Sequence, residues 1–176
     1  MQRRIGIVAL AGVLALTSGL ILASSAEAGS ITGKITYDDR VPSLKPIDMN
    51  ADPACAAKHS APVYPEILVL GDGNGLANVF VSVKNAPSGN YPAPSKPAMI
   101  NQHGCRYEPH VLGVVAGQEV LFQNSDGILH NVHGLPKANR EFNIGMPPTL
   151  KEKGVTLGKP EPVFPVKCDV HPWMRS

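Results

Sequence analysis

Apolar and polar side chains alternate in short runs along most of the chain beyond residue 28. Such alternation, when Gly, Pro, Asn and Asp bound each run, is typical of half-buried β-strands. A further strand is expected to begin at His130. No window beyond residue 28 keeps a helical period over a useful length. The pattern predicts an all-β fold, a β-sandwich or a barrel. The alternating runs are residues 31–37, 67–70, 79–84, 110–115, 119–123 and 163–168.

Two Pro-rich stretches, residues 40–65 and 85–97, have little periodicity and are expected to be long loops, with one short helix over 54–57. The 17 Gly and 17 Pro residues argue against a coiled coil or a helical bundle. Because neither half of the chain has enough predicted strands to close a core alone, we expect one domain. This domain is expected to span residues 29–176. Its first part, 29–98, would hold N-terminal strands and Pro-rich loops, and its second part, 99–176, the candidate metal ligands.

The first 28 residues have the features of a secretory signal. Arg3 and Arg4 precede an apolar stretch over 5–23, and residues 26–28 form a small-x-small cleavage pattern before Gly29. An uncleaved membrane anchor is the alternative, since the apolar stretch nears spanning length. No second long apolar run follows. We therefore expect an exported, periplasmic protein that does not insert into the membrane once the signal is removed.

Charge and hydrophobicity exclude two other classes of protein. The 16 basic and 14 acidic residues give a net charge of only +2, so nothing indicates a nucleic-acid-binding protein. The hydrophobic share of 43% is too high for a wholly disordered chain. The chain is long enough to bury a substantial core.

The three cysteines are Cys55, Cys105 and Cys168. Export permits disulfides, and an odd number leaves one thiol over. Because Cys168 has the most informative neighbours, Cys55 and Cys105 are the expected pair. Two buried free thiols are the alternative.

Cys168, His171 and Met174 form a C-x2-H-x2-M motif directly after an apolar run. Thiolate and thioether sulfur with imidazole favour copper among the common metals, and a trigonal His2Cys site with a weak Met ligand needs one more histidine. His130 lies 38 residues before Cys168, a separation common between spatial neighbours in a Greek-key sandwich. His130 is therefore the expected remaining ligand. Zinc also suits Cys and His, although the methionine argues against it.

With these motifs, residues 107–174 resemble the cupredoxin (blue copper) family of plastocyanins, amicyanins and pseudoazurins. The loop from Cys168 to Met174, with Pro172 after the histidine, is most similar to that of amicyanin. Residues 29–35 are similar, less specifically, to an extended plastocyanin-like or methylamine-utilisation-like subgroup. The elements that carry the resemblance are Tyr107-x-Pro109, Gly117-x2-Val120-x-Phe122-x-Asn124, His130-Asn131 and Cys168-x2-His171-x2-Met174.

The resemblance implies a Greek-key sandwich that binds one copper per chain. In it His130, Cys168 and His171 would be equatorial ligands and Met174 the axial one. Asn131 would hydrogen-bond across to the cysteine loop and lock the two ligand segments together, as outer-shell contacts do.

The function implied is that of a periplasmic electron carrier and not of an enzyme. Pro172 and Trp173 would place apolar surface where the edge of the His171 imidazole meets solvent, so a transient redox partner is expected to dock there.

The chain departs from the family at its end, because Ser176 follows Met174 by two residues where a closing strand is usual. We expect that the sandwich lacks this strand, because the chain is truncated, or that residues 31–37 occupy the edge instead.

Two other functions compete with electron transfer. One is copper delivery or storage without electron transfer. The other is an enzyme with an open coordination position, which requires that Met174 does not bind the metal. The sequence offers no Ser-His-Asp pattern, no paired carboxylates at a strand end and no phosphate-binding loop.

Other polar residues are expected to have ordinary roles. His133 would point away from His130 on the opposite face of its strand. His110 is expected to be structural or to support a ligand, and Asp126 to form a turn. His59 and His103 lie in predicted loops and are expected to be solvated.

Overall fold

A computed structural model describes residues 30–176, so the predicted signal segment over 1–28 lies outside the described residues. Apart from one short helix, α1, and a 3-10 turn over Asp72–Asn74, the regular elements are β-strands, which confirms the all-β prediction. The elements are α1 (Pro53–Ala56), β1 (Leu70–Gly71), β2 (Gly75–Leu76), β3 (Ala98–His103), β4 (Arg106–Glu108), β5 (Glu119–Asn124), β6 (His130–Gly134), β7 (Phe142–Met146), β8 (Glu152–Thr156) and β9 (Val166–Lys167).

The strands form two main sheets and one small hairpin. The larger sheet has the order β4-β3-β5-β8, in which β3 and β5 run parallel and the other neighbours antiparallel. The second sheet has the order β7-β6-β9 and is antiparallel throughout. Strands β1 and β2 pair separately. Phe122 of the first sheet and Phe142 of the second pack with ring centroids 5.9 Å apart, so apolar faces of both sheets meet in the core.

The burial of side chains in β5 follows the alternating sequence pattern, whereas in β6 it does not. In β5, Val120, Phe122 and Asn124 face inwards while the residues between them are more exposed, as a period of two requires. In β6, His130, Asn131 and Val132 are all buried. This strand pairs with β7 along its whole length and with β9 at His133 and Gly134.

Several predicted strands are wrong. Residues 79–84 form no strand, and four large apolar side chains of this stretch are exposed. Residues 110–115 are also irregular, and 31–37 contribute one bridge, between Thr36 and Gly75. Alternation alone does not make a strand, since the backbone also needs a partner, and these stretches find little or none within residues 30–176.

The edge of β9 is paired by the last residues of the chain and not by residues 31–37. Val166 and Ser176 exchange two backbone hydrogen bonds of 2.8 Å, and Lys167 bridges Arg175. The expectation that residues 31–37 cover this edge is therefore wrong, because residues 35–37 pair instead with residues 74–76. No full strand follows β9 in the described part of the chain.

A disulfide joins Cys55 of α1 to Cys105, which lies in the turn between β3 and β4. It therefore fixes the Pro-rich N-terminal segment to the larger sheet. Among residues 30–176, no helix is long and apolar enough to cross a membrane.

We expect loss of this disulfide to destabilise the fold. The bridge closes a loop with a sequence separation of 50 residues. Restricting such a loop in the unfolded chain contributes about 4 kcal/mol by the chain-entropy relation. Denaturant unfolding of the Cys55→Ser/Cys105→Ser variant should show a loss of this order, while the exposed Ala61→Ser control should match the parent chain. A difference below ~1 kcal/mol would contradict a structural role for the bridge.

Candidate metal centre

Three buried side chains from two chain segments converge at one point, at the start of β6 and after the end of β9. His130 begins β6, and Cys168 and His171 lie in the turn after β9. The Nδ1 atoms of the two imidazoles are 3.0 Å apart, and the Cys168 Sγ lies 3.8 Å from the Nδ1 of His171. None of the three residues is more than 2% exposed. The structure thus brings together three of the predicted ligands, with both Nδ1 atoms facing inwards.

The turn after β9 is tightly bonded within itself. The His171 amide donates to the Cys168 sulfur at 3.4 Å, and the Met174 amide donates to the His171 carbonyl at 2.9 Å. The Cys168 amide in turn donates to the Met174 carbonyl at 3.2 Å. These bonds place Met174, which is also fully buried, at the end of the same turn.

Asn131 links the two ligand segments. Its side-chain oxygen accepts a hydrogen bond of 2.6 Å from the amide of Asp169, the residue after Cys168. Its side-chain nitrogen donates to Asn143 on β7. The Tyr107 hydroxyl donates to the backbone carbonyl of Asn131 at 2.5 Å. The cross-link between the loops that the resemblance implies is therefore present.

The outer nitrogen of His130 bonds to a buried carboxylate. Its Nε2 lies 2.9 Å from Oδ2 of Asp126, whose side chain is 1% exposed. The amides of Gly104 and Cys105 each donate to this carboxylate at 2.8 Å, and Lys58 lies 3.2 Å from it. Burial tends to raise the pKa of Asp126, but hydrogen bonds from His130 and the two amides hold it well below its usual range.

The turn between β3 and β4 is shaped to donate to Asp126. Gly104 and Cys105 both have positive φ angles, 59° and 51°, as a two-residue type I′ hairpin turn requires. A Cβ atom on Gly104 would lie 2.9 Å from Cε1 of His59, so glycine is needed at this position. His59 is itself held, because its Nε2 lies 2.8 Å from the Gly104 carbonyl. The expectation that His59 is solvated is therefore wrong.

The outer nitrogen of His171 also meets a carboxylate. Its Nε2 lies 3.0 Å from Oδ2 of Asp52, while the other oxygen of Asp52 caps α1 by accepting from the amides of Ala54 and Cys55. An aspartate followed by Pro53 is a common start of a helix. The hydrogen bond from His171 lowers the pKa of Asp52 most; burial opposes this, and the two amides lower it further.

The predicted exposure of the His171 imidazole is wrong. The residue is buried because Asp52 and Cys55 cover its outer edge, with the Cys55 sulfur 3.5 Å from Nε2. Trp173 packs against the same ring with centroids 5.1 Å apart and donates from Nε1 to the Cys105 carbonyl at 3.1 Å. The covering residues come from a segment that precedes His171 by more than a hundred positions, so no local pattern indicates them.

The remaining histidines lie outside this cluster. His133 bonds Asp169 and Glu141 through its two nitrogens at 2.8 and 2.9 Å, away from the inner face of β6 as predicted. His110 lies 3.0 Å from the Arg175 carbonyl, which makes it structural. His103 ends β3 and is exposed.

The two carboxylates are the residues that sequence reasoning missed. The sequence pattern predicts only a turn at Asp126 and no site role for Asp52. The available signals were the Asp-Pro helix start at Asp52 and the position of Asp126 four residues before His130.

The inner atoms of the cluster are electron-pair donors. If both Nε2–H groups donate to carboxylates, both Nδ1 atoms present lone pairs to one another. Burial raises the pKa of the Cys168 thiol, but His130 and the His171 amide outweigh it and lower that pKa overall. Burial lowers the pKa of His130, yet Asp126 and Cys168 raise it overall. Lone pairs and a thiolate this close need a cation between them, either a proton or a metal.

The spacing fits a metal ion of ordinary size. Nitrogen and sulfur ligands lie about 2.0–2.3 Å from such an ion, so three in a trigonal plane are roughly 3.6 Å apart. The observed distances of 3.0 and 3.8 Å lie on either side of that value. All three ligand atoms lie within 4.8 Å of one another.

Comparison with known proteins gives likenesses in structure only. No family model and no curated protein matches the sequence. A Cu-containing nitrite reductase from Thermus scotoductus SA-01 is 20% identical with a TM-score of 0.41, over 54% of this chain and 23% of that one. A purple cupredoxin from Nitrosopumilus maritimus is 22% identical with a TM-score of 0.37, and the match covers 44% of this chain and 93% of that one. Amicyanin from Paracoccus versutus is 21% identical with a TM-score of 0.38, and the match covers 47% of this chain and 78% of that one. The chain spans less than a quarter of the reductase.

We expect Asn131→Ala to weaken the join between the ligand segments. The change removes the acceptor of the part-buried hydrogen bond from the Asp169 amide, which costs about 0.5–1.5 kcal/mol of unfolding free energy. Denaturant unfolding of the metal-free protein measures this loss. Asn90→Ala, in an exposed loop, is the matched control. Equal free energies of unfolding for the two variants would show that this hydrogen bond does not stabilise the fold.

Proposed function

We propose that this chain is a periplasmic type 1 copper protein that carries single electrons between redox partners. One copper would be held by His130, Cys168 and His171, with Met174 as a weak axial ligand. The observation that carries the proposal is the buried convergence of one thiol and two inward-facing Nδ1 atoms.

Copper suits this donor set better than zinc does. A cysteine thiolate with two imidazoles and a weak thioether is the set that type 1 copper sites use. Structural zinc sites instead take four strong ligands, and the turn offers only a buried thioether as the fourth. The copper would supply a one-electron change between Cu(I) and Cu(II), and the residues of the chain hold its ligands in place.

The surroundings favour electron transfer over catalysis. Both imidazoles are held at their outer nitrogens, and Asn131 ties the two ligand segments together. Ligands that cannot rearrange keep one geometry in both oxidation states, which makes electron transfer fast. Since the three donors are buried, a substrate has no open path to the ion.

The proposal includes a transient redox partner. Trp173 is half-buried and packs on His171, so it provides a route from the ligand to the surface. The predicted signal segment indicates the periplasm, and the Cys55–Cys105 disulfide suits an oxidising compartment.

The deciding experiment is to add Cu(II) to the exported protein and record visible and EPR spectra. We expect an intense charge-transfer band in the red region and narrow copper hyperfine splitting. Cys168→Ser should abolish the band, because the band arises from the thiolate. A retained band would refute the ligand assignment, and a pale tetragonal signal in the parent chain would favour copper delivery or storage instead.

A second prediction concerns the axial ligand. Met174→Leu should keep the blue colour and raise the reduction potential, since loss of a weak sulfur donor disfavours the oxidised ion. Voltammetry measures the change in reduction potential. A potential change of roughly 59 mV corresponds to a tenfold change in the equilibrium constant between the oxidised and the reduced ion. Met146→Leu is the control, because Met146 is equally buried but its sulfur accepts from Gln102. Equal potentials in the two variants would remove Met174 from the ligand set.

A further inference from the structure

Both ligand histidines are supported in the same way. The Nδ1 atom of each ring faces the cluster, and the Nε2 atom of each ring meets an aspartate oxygen, Asp126 at 2.9 Å and Asp52 at 3.0 Å. The two aspartates come from unrelated segments, one before β6 and one at the start of α1. A pair of equivalent contacts from separate segments indicates a shared role.

Each carboxylate is held in place by other donors. Asp126 accepts from two backbone amides and pairs with Lys58, and Asp52 accepts from two amides at the start of α1. Neither group can therefore turn away from its imidazole without breaking several hydrogen bonds. Both therefore keep one carboxylate oxygen directed at Nε2 of a ligand imidazole.

The disulfide joins the two supports. The Cys55 amide donates to Asp52, and the Cys105 amide donates to Asp126. Because Cys55 and Cys105 are covalently bonded, the two carboxylates belong to one cross-linked unit around the histidines.

An anionic acceptor at Nε2 has two physical effects on a ligand imidazole. It keeps the proton on Nε2, so the Nδ1 lone pair is directed at the metal. It also makes the ring a stronger donor, which stabilises the more highly charged oxidised ion. The local charges act in the same direction: the Cys168 thiolate and two carboxylates, with Lys58 as counter-charge, balance a divalent ion and leave a monovalent one with an excess negative charge.

We propose that Asp52 and Asp126 are paired positioning residues that fix both ligand imidazoles in the Nε2–H tautomer and thereby lower the reduction potential of the bound metal. This inference rests on the proposed function for the identity of the metal. It does not rest on it for the tautomers, because both Nε2 contacts with carboxylates are present without a metal.

Asp52→Asn gives the sharpest test. Asparagine also caps helices through its side-chain oxygen, so α1 should persist. Its amide nitrogen would then face Nε2 of His171, and two donors cannot bond each other. His171 should therefore shift to the Nδ1–H tautomer, which long-range 1H–15N spectra of the metal-free protein detect. His130 should be unchanged, and Asp126→Asn should give the converse result.

Metal binding provides the second measurement. Loss of an outer-shell partner typically weakens metal affinity about 10–100-fold. We expect that loss for Cu(II) in Asp52→Asn. We also expect a shift of the redox equilibrium towards the reduced form of about tenfold, or 59 mV for one electron.

Two control variants separate positioning from capping and from general charge. Asp52→Ser keeps a helix cap but is too short to reach His171, so it should behave like Asp52→Asn if positioning matters and like the parent chain if capping alone matters. Asp48→Asn removes one exposed charge from the same segment without touching a histidine.

The outcomes are distinct. An unchanged His171 tautomer in Asp52→Asn, or a potential equal to that of Asp48→Asn, would overturn the inference. A third outcome is that Asp52→Asn changes the His171 tautomer and weakens metal binding, while the copper-loaded parent protein shows no reversible reduction potential. That outcome would refute the electron-carrier function and support the positioning role.

Discussion

Burying two imidazoles and a thiol inside a β-sandwich costs free energy unless each polar atom has a partner, and the architecture follows from that requirement. Asp126 and Asp52 satisfy the outer nitrogens, and the inner atoms are left to share a cation. The carboxylates are themselves buried or bonded, so they need amide donors in turn. The hairpin turn after β3 and the first turn of α1 provide those donors.

The need for hydrogen-bond partners around the buried cluster explains the role of the Pro-rich N-terminal segment. In sequence it is a long loop with little periodicity, but its residues 52–55 cap α1, bond His171 and form one half of the disulfide. Proline at position 53 fits the first turn of a helix, where no amide hydrogen is required. The segment therefore closes the site on the side where the sequence predicted contact with solvent.

Sequence patterns predicted features that depend on neighbouring residues and missed contacts between residues far apart in the chain. Strands β5 and β6 and the cysteine turn were predictable, because alternation and ligand spacing are properties of neighbouring residues. Strands β3, β4, β7 and β8 were missed, since their polar residues and glycines weaken the alternation. Residues 79–84 show the opposite error, an alternating run that has no partner strand within residues 30–176. The contact of Asp52 with His171 spans 119 positions, so only the folded chain shows it.

The closed surroundings of the cluster also bear on the choice between carrying electrons and delivering metal. A delivery protein must pass the ion to an acceptor by exchanging ligands one at a time, which needs at least one ligand near the surface. Here every donor is buried, and residues 52–55, anchored by a disulfide, cover His171. Metal release would require this covalently held segment to move. An electron needs no such opening, because it can leave through packed side chains such as Trp173. In the proposed copper protein, the same contacts would retain the ion and leave electron transfer unobstructed.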